Sequence, residues 1–338
     1  MATYREAGVD LEQADRLVKE IAETVTSTWG KNVVGGFGGF AAGVTIPDGY
    51  TNPVLMMSTD GVGTKLELAR RARRYQGVGH DLVAMCVDDL AAVGARPIAF
   101  TDYLAVGRID PARDQTIVAS VAEACSLAGC ALVGGETAEH PGVVDADHVD
   151  LAGAALGVVE HGKELTGTSV TVDDAVIGIE SPGLRSNGFS LVRAIVGDRS
   201  LDDRFPGEDR SIGEVLLEPS IIYSSGALSA AGTGYARAFA HVTGGGIPGN
   251  LTRVLPEGLG AEISLNSWTR PNVFNVVQRW GSVADDEMFR VFNMGIGYLA
   301  VVDPAGIDAV VQALKSHGHR THLIGRIVEG PTGVTLVD

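Results

Sequence analysis

Apolar segments of two different periodicities alternate along this chain of 338 residues. Short, mainly apolar runs, such as 54–58 and 98–106, predict buried strands. Between them lie longer segments with helical spacing, such as 81–93 and the stretch that opens with Asp110-Pro111, an N-cap followed by an N1 proline. Because strands and helices alternate throughout, the sequence predicts an α/β or α+β protein.

The length of the chain predicts two domains, since 338 residues exceed one ordinary hydrophobic core. Around 162–171 the pattern loosens into small and polar residues, and we expect the domain boundary there. The expected domains are an N-terminal unit over 1–166 and a C-terminal α/β unit over 167–338.

Composition and charge narrow the possible partners and the compartment. The formal net charge is −16, which disfavours a general nucleic-acid binder because such proteins need basic surface to meet phosphates. With no apolar run of 18 residues and no apolar run behind a basic N-terminus, we expect neither a membrane span nor a signal peptide. Cys86, Cys125 and Cys130 lack CxxC spacing and an even count, which indicates buried free thiols in a cytoplasmic protein.

Acidic residues recur where predicted strands end and predicted helices run. Asp60 and Glu136 each follow a predicted strand. Asp88 and Asp89 share a predicted helix, with Asp81 seven positions before Asp88 on the same face. Carboxylates in such places can hold Mg²⁺, a hard ion that takes oxygen ligands and keeps waters and phosphates around it. The alternative is a helix cap at Asp81 and solvated surface residues elsewhere.

Two glycine clusters indicate phosphate binding, with a tight turn as the alternative for each. GGFGGF at 35–40 fits neither a Walker nor a Rossmann loop, yet a flexible glycine loop can fold over a triphosphate and donate backbone N–H groups. Gly244-Gly245-Gly246 follows a predicted strand and precedes a predicted helix, an arrangement suited to an anion. Lys65 is a candidate for neutralising phosphate charge. His241 is a candidate for proton transfer, or else a structural histidine.

Eight stretches of the chain resemble the phosphoribosylformylglycinamidine cyclo-ligase family, also called AIR synthetases, in order and spacing and over nearly the whole length. They are YREAGVD at 4–10, GGFGGF at 35–40, TDGVGTK at 59–65, HDLVAMCVDDL at 80–90, GCALVGGETAEHPG at 129–142, SNGFSLVR at 186–193, HVTGGGIPGNLTRVLP at 241–256 and FNMGIG at 292–297. One such motif is weak, whereas eight in sequence make the resemblance specific.

The resemblance implies a fold and a reaction. It implies two α/β domains, with N-terminal domains that pair into a homodimer and bind ATP near the dimer cleft under the glycine loop. ATP, as co-substrate with Mg²⁺, would drive ring closure of formylglycinamidine ribonucleotide to 5-aminoimidazole ribonucleotide in purine biosynthesis, releasing ADP and phosphate.

The resemblance also implies site residues. The Mg²⁺–ATP acids would be Asp60, Asp89 and Glu136, with Lys65 near phosphate and His241 handling protons. The implied substrate or nucleotide contacts are Gly35, Gly36, Gly38, Gly39, Asp60, Gly61, Thr64, Arg185, Ser186, Asn187, Gly188, Thr243, Gly244, Gly245 and Gly246.

The chain departs from the family pattern at several positions. Asp88 stands where many relatives carry Asn, and we include it as a further candidate ligand for Mg²⁺. Arg185 stands where many relatives carry His, so a catalytic histidine does not transfer, and we expect Arg185 to bind substrate phosphate by bidentate contacts. Residues 29–32 replace the family's Arg-Pro pair, which leaves open whether Lys31 contacts the nucleotide.

Other ATP-using members of the same superfamily are the alternatives. A selenophosphate synthetase should carry a reactive Cys before the glycine loop, but no cysteine precedes Cys86. A hydrogenase-maturation relative should end in a cysteine tail, unlike Leu336-Val337-Asp338, and a thiamine-phosphate kinase matches the local motifs less well. Only Arg185 favours a catalytically silent nucleotide-binding homologue, which substrate-dependent phosphate release would exclude.

Overall fold

Two β-sheets organise the chain, whose residues 8–338 are described by a computed structural model. The strands are β1 Val33–Val34, β2 Gly43–Val44, β3 Pro53–Gly61, β4 Arg96–Val106, β5 Ala131–Glu139, β6 Val149–Glu160, β7 Ala175–Glu180, β8 Ala236–His241, β9 Leu259–Ser264, β10 Ile296–Val302, β11 Thr321–Glu329 and β12 Gly333–Val337. The helices are α1 Leu11–Thr26, α2 Lys65–Ala72, α3 Val78–Ala92, α4 Pro111–Ala128, α5 Phe189–Val196, α6 Ile212–Leu216, α7 Ser224–Ala231, α8 Gly246–Leu251, α9 Asn272–Gly281, α10 Asp285–Val291 and α11 Ile307–Ser316. The mixture of helix and sheet confirms the predicted class.

Local capping chemistry places the ends of two long helices. The Asp110 carboxylate accepts hydrogen bonds from the Ala112 and Arg113 amides at the start of α4, which confirms the predicted N-cap. At α1 the Asp10 carboxylate accepts from the Gln13 amide at 3.2 Å. The Gln13 side chain donates to the Ile109 carbonyl, and the Asp10 amide donates to the Glu139 carboxylate at 3.1 Å, so Gln13 does not complete a capping box with Asp10. Residues 4–7 of the YREAGVD stretch lie outside the described part of the chain.

The N-terminal sheet has the order β3-β6-β4-β5, in which only β4 and β5 are parallel. Successive side chains alternate between its faces. Phe100 and Leu104 are at most 1% exposed and belong to the core shared with α3 and α4. Leu55, Met57 and Tyr103 lie on the other face and are 51%, 77% and 44% exposed. We call this second surface the open face.

The C-terminal sheet has the order β12-β9-β11-β7-β10-β8, antiparallel except for the pair β12 and β9. Apolar cores fill both of its faces, and every residue of β10 is buried between them. β8 pairs with β10 at the edge of the sheet and ends at His241. α3 contacts both α7 and β8, so His241 reaches the boundary with the N-terminal half.

Two predicted strands extend further than their apolar runs. β3 continues to Gly61 and β5 to Glu139, so Asp60 and Glu136 lie within strands rather than after them. The reason is pairing with distant segments: Asp60 lies opposite Gly153 on β6, and Glu136 lies opposite Tyr103 on β4. Backbone pairing therefore continues where the side chains become polar.

The predicted boundary between 166 and 167 falls in the segment that joins β6 to β7, and it stays a prediction. Cys86, Cys125 and Cys130 are buried and unpaired with one another, which confirms the prediction of buried free thiols. Across residues 8–338, the helices are all too short or too polar to span a bilayer.

Candidate active site

Loops from both halves of the chain meet at the end of β8. The Ser186 hydroxyl donates to the Val62 carbonyl at 3.0 Å, and the Gly244 amide donates to Asn187 Oδ1 at 3.1 Å. The hydroxyls of Thr64 and Ser190 lie 3.3 Å apart. The structure therefore brings together three of the predicted contact regions, which are distant in sequence.

Two of the three residues of the Gly244–Gly246 turn have backbone conformations that favour glycine. Gly245 and Gly246 have φ values of +100° and +60°, and a Cβ on Gly246 would lie 1.9 Å from the Phe289 carbonyl oxygen. The Asn250 amide nitrogen donates to the carbonyls of Thr243, Gly244 and Gly246, which fixes the turn. A tight turn is therefore enough to explain why glycines occur here, which was the alternative explanation for this cluster. Anion binding at the turn stays a prediction.

Four charged or polar side chains form a chain of hydrogen bonds beside this turn, and we call them the charged array. Arg185 Nη2 lies 3.0 Å from Asp88 Oδ2 and 2.8 Å from His241 Nε2. His241 Nδ1 lies 2.8 Å from Asp89 Oδ1. Of the four, only Asp89 is substantially open to solvent, with 47% of its side chain exposed.

The geometry of His241 differs from the predicted one. Its side chain is 3% exposed, and both ring nitrogens already have partners within the charged array. A proton-transfer group must reach its substrate directly or through one water. The structure therefore does not support the prediction that His241 exchanges protons with the substrate, and Asp89 is the member of the array that a ligand can reach.

Arg185 and Asp88 are also placed differently from the prediction. The Arg185 guanidinium is 1% exposed, lies 4.7 Å from the centre of the Tyr223 ring and donates to the Ile221 carbonyl. Burial works against this charge, but Tyr223 and Asp88 raise the pKa of Arg185 above its ordinary value. Asp88 Oδ1 accepts from the Tyr223 and Ser224 amides, and Oδ2 accepts from Arg185. The geometry supports neither bidentate binding of substrate phosphate by Arg185 nor Mg²⁺ ligation by Asp88.

Lys65 is buried rather than directed at phosphate. Its Nζ lies 2.6 Å from Asp81 Oδ2 and donates to the carbonyls of Arg185 and Glu218 at 3.0 and 2.9 Å. Nζ thus donates two hydrogen bonds to carbonyls and forms a salt bridge with one carboxylate, and all three partners belong to the protein. Burial lowers the pKa of Lys65, and the neighbouring Asp81 opposes that effect. Asp81 also accepts from the Ser220 amide and hydroxyl, so the pair ties the two halves of the chain together.

Asp60, Asp89 and Glu136 are the predicted metal ligands that remain open to solvent. Burial is the main cause that raises the pKa of the Cys86 thiol, and the negative charges of Asp60 and Asp89 raise it further. Both carboxylates therefore lie close enough to Cys86 to act on the same thiol. Among residues 8–338, no three acidic, histidine or cysteine side chains converge into a ready-made metal site. Mg²⁺ is commonly held by one or two carboxylates together with phosphates and waters. The residues present therefore fit an ion that arrives with a nucleotide.

A cavity of about 320 Å³ lies under the glycine loop and contains an acid that the sequence reasoning missed. Asp102 and Glu136 line it, together with loop residues 36–42. A Cβ on Gly135 would lie 2.1 Å from Asp102 Oδ1, so glycine at 135 makes room for this carboxyl group. Burial raises the pKa of Asp102 to about 7. The sequence signal that could have indicated this site is the position of Asp102 within the mainly apolar run that forms β4.

We predict that Asp102→Asn stabilises the metal-free protein at alkaline pH. The folded-state pKa is about 7, above the ordinary 3.8, so the wild type loses stability as pH rises from about 4 through 7. The amide variant avoids this loss, and its free energy of unfolding at pH 8 should be higher by up to about 4 kcal/mol.

Denaturant unfolding without Mg²⁺ at pH 4 and pH 8 measures the effect of Asp102→Asn. The gain should disappear at pH 4, and Asp286→Asn, at an exposed position, serves as the matched control. Equal stabilities of the wild type and Asp102→Asn at both pH values would contradict a raised pKa at this position.

Two family models and full-length relatives match this chain. The family model for the AIR synthase related protein N-terminal domain matches residues 39–159, and the model for the C-terminal domain matches residues 171–338. The phosphoribosylformylglycinamidine cyclo-ligase of Sorangium cellulosum is 46% identical over 331 residues, which cover 96% of this chain and 95% of the relative. The enzyme of that name from Anaeromyxobacter dehalogenans (strain 2CP-C) is 47% identical over 334 residues, covering 98% and 97%.

Solved structures share the fold at low sequence identity. The thiamine-monophosphate kinase of Stenotrophomonas maltophilia has a TM-score of 0.70 at 19% identity, covering 97% of this chain and 96% of the kinase. The hydrogenase maturation protein HypE in complex with ATP has a TM-score of 0.67 at 16% identity, covering 98% and 93%. The two domain matches and the full-length relatives lead to one assignment: the chain belongs to the AIR synthase related protein family, of which it carries both the N-terminal and the C-terminal domain.

Proposed function

We propose that this chain is a phosphoribosylformylglycinamidine cyclo-ligase. It uses ATP to close formylglycinamidine ribonucleotide into 5-aminoimidazole ribonucleotide in purine biosynthesis, with release of ADP and phosphate. The observation that carries the proposal is the 46–47% identity to relatives of that name over nearly the full length of both proteins. The likeness to a kinase at 19% identity concerns the fold alone, so the kinase alternative is not favoured.

The proposed chemistry begins at the formyl amide oxygen of the substrate. Transfer of the γ-phosphoryl group of ATP to this oxygen converts it into a good leaving group. An amidine-side nitrogen then attacks the same carbon, the ring closes and phosphate departs. Enzymes accelerate such transfers mainly by positioning the reactants and by stabilising charge.

The residues proposed for the nucleotide are those around the glycine-loop cavity. Backbone N–H groups of the exposed glycine loop would contact the triphosphate. Asp60, Asp89 and Glu136 would hold Mg²⁺ together with the phosphates, and the ion would supply charge neutralisation. The buried position of Lys65 supports a structural role for it, so the loop amides and the ion remain as the proposed partners of phosphate.

The proposed place for formylglycinamidine ribonucleotide is the junction of the loops at 186–188 and 243–246. Hydrogen bonds hold these loops against each other, and their backbone amides and hydroxyls are suited to a ribose phosphate. Asp89 connects this junction to the nucleotide side, since it is hydrogen-bonded to His241 at the end of β8.

A homodimer is proposed from the open face of the N-terminal sheet. Met57 at 77% and Leu55 at 51% exposure leave apolar surface of the kind that a second sheet commonly covers. Sedimentation of the full chain as a single copy at micromolar concentration would exclude this pairing. The three free thiols support a reducing compartment, and we propose the cytoplasm.

The deciding experiment follows phosphate release from ATP with and without formylglycinamidine ribonucleotide, while a colour assay follows the aminoimidazole product. We expect release that depends on the substrate and equals product one for one. ATP binding without substrate-dependent turnover would contradict the proposal and favour a catalytically silent homologue.

A further inference from the structure

The hydrogen bonds of the charged array determine which nitrogen of His241 carries the proton. A guanidinium group can only donate, so His241 Nε2, which lies 2.8 Å from Arg185 Nη2, must accept. The proton of the neutral ring then resides on Nδ1, which lies 2.8 Å from Asp89 Oδ1 and donates to it. By donating to Nε2, Arg185 thus leaves Nδ1–H as the ring's donor to the Asp89 carboxylate.

Arg185 is held from several sides, so its Nη2 has a fixed position. Asp88 accepts from Nη2, Ile221 accepts from Nη1, and the Tyr223 ring lies under the guanidinium. The backbone of Arg185 has a φ of +60°, and its carbonyl accepts from Lys65 Nζ. Asp88 is fixed in turn by two backbone amides.

We propose that Asp88 and Arg185 form a matched pair that positions Asp89 for the nucleotide-bound metal. Arg185 is a positioning residue that holds His241 in the Nδ1–H tautomer, and Asp88 supplies the charge that lets the guanidinium remain buried. The inference that Asp89 contacts the metal rests on the proposed function. The inference about the His241 tautomer rests only on the hydrogen bonds within the charged array.

The matched pair predicts how substitutions at the two positions combine. Asp88 places a negative charge in the interior and Arg185 a positive one, and the two side chains are 0% and 1% exposed. Removing either charge alone would leave the other buried without its partner, which is strongly unfavourable. We therefore expect the two positions to be exchangeable only as a pair.

The first test is ¹⁵N NMR of the full chain with labelled histidine, in which the His241 signals are identified by their loss in His241→Gln. The wild-type ring should carry its proton on Nδ1. Arg185→Lys, which keeps the charge but loses the fork of donors, should give a mixture of tautomers. A wild-type ring protonated on Nε2 alone would overturn the proposal, whether or not the chain has cyclo-ligase activity.

The second test measures the Mg²⁺ concentration for half-maximal turnover. Changes to groups that orient a metal ligand typically cost 10–100-fold in affinity or activity, so Arg185→Lys should raise this concentration by about that factor. The double variant Asp88→Asn with Arg185→His should perform better than either single variant. Arg113→Lys is the matched control, because Arg113 and Asp114 form another buried pair, 8% and 0% exposed, away from the site.

The outcomes separate the proposal from its alternatives. Unchanged tautomer and unchanged Mg²⁺ requirement in Arg185→Lys would overturn it, as would a double variant no better than the two single ones. Loss of folding in Arg185→Lys leaves the wild-type tautomer and the double variant as the deciding measurements. Absence of turnover in the wild type would count against the proposed function but not against the tautomer.

Discussion

Replacing Lys65 with methionine should lower the free energy of unfolding by about 3–5 kcal/mol, since it removes one partner of a buried ion pair. Lys65 Nζ lies 2.6 Å from Asp81 Oδ2, and the two side chains are 1% and 0% exposed. Methionine has a similar length but donates no hydrogen bond. The Asp81 carboxylate would keep only Ser220 as a donor, and the carbonyls of Arg185 and Glu218 would each lose one.

Denaturant unfolding at neutral pH, followed by circular dichroism, measures this loss. Lys31→Met is the matched control, because Lys31 pairs with Asp48 at 81% and 96% exposure and should change the stability little. Adding Asp81→Leu to Lys65→Met should restore part of the stability, since the unpaired buried charge is then gone. A loss for Lys65→Met no larger than that for Lys31→Met would contradict a stabilising role of this pair.

Elements whose signals are local could be predicted from the sequence. The start of α4 follows from Asp110 and Pro111 alone, because an N-cap carboxylate and an N1 proline act within one turn. The apolar run at 98–106 similarly predicts most of β4, which spans Arg96–Val106. Neither inference needs knowledge of a distant partner.

Features that depend on distant partners could not be predicted in the same way. Asp60 belongs to β3 because Gly153 lies opposite it on β6, and nothing near Asp60 in the sequence indicates that neighbour. Asp102 lies under the glycine loop because Gly135, on the parallel strand, leaves space for its carboxyl group. Register across a sheet is set by such pairs rather than by propensity.

The burial of charge was the largest gap between sequence and structure. Lys65 follows a glycine-rich turn, which suggested phosphate, yet its partner Asp81 lies inside the protein. The departures at positions 88 and 185 appeared as separate oddities in the sequence, although the two side chains are 3.0 Å apart. Nothing near either residue in the sequence indicates the other, because 97 positions separate them.

The structure thus divides the charged residues of the motifs into two groups. Lys65, Asp81, Asp88 and Arg185 are at most 1% exposed and hold the halves of the chain together. Asp60, Asp89 and Glu136 remain open to solvent, where a ligand can meet them. The buried group should therefore act mainly through stability and positioning, and the open group through binding and turnover.

Asp89→Asn should lower kcat/KM for the cyclo-ligase reaction by more than about 100-fold. Changes to groups that only orient a metal ligand cost up to about 100-fold, so removing the charge of a direct ligand should cost at least as much. Asparagine keeps the size of the side chain and an oxygen that can accept from His241 Nδ1, and the position is half exposed, so the fold should be unaffected. Initial rates of product formation across a Mg²⁺ series measure the effect.

The control for this substitution is Asp286→Asn, which neutralises an exposed aspartate on α10 and should leave kcat/KM unchanged. A melting temperature of Asp89→Asn equal to that of the wild type would separate lost binding from lost structure. If high Mg²⁺ restores part of the rate, the charge of Asp89 acts through the metal, as proposed. Near wild-type rates at every Mg²⁺ concentration would remove Asp89 from the metal site and leave Asp60 and Glu136 as its proposed ligands.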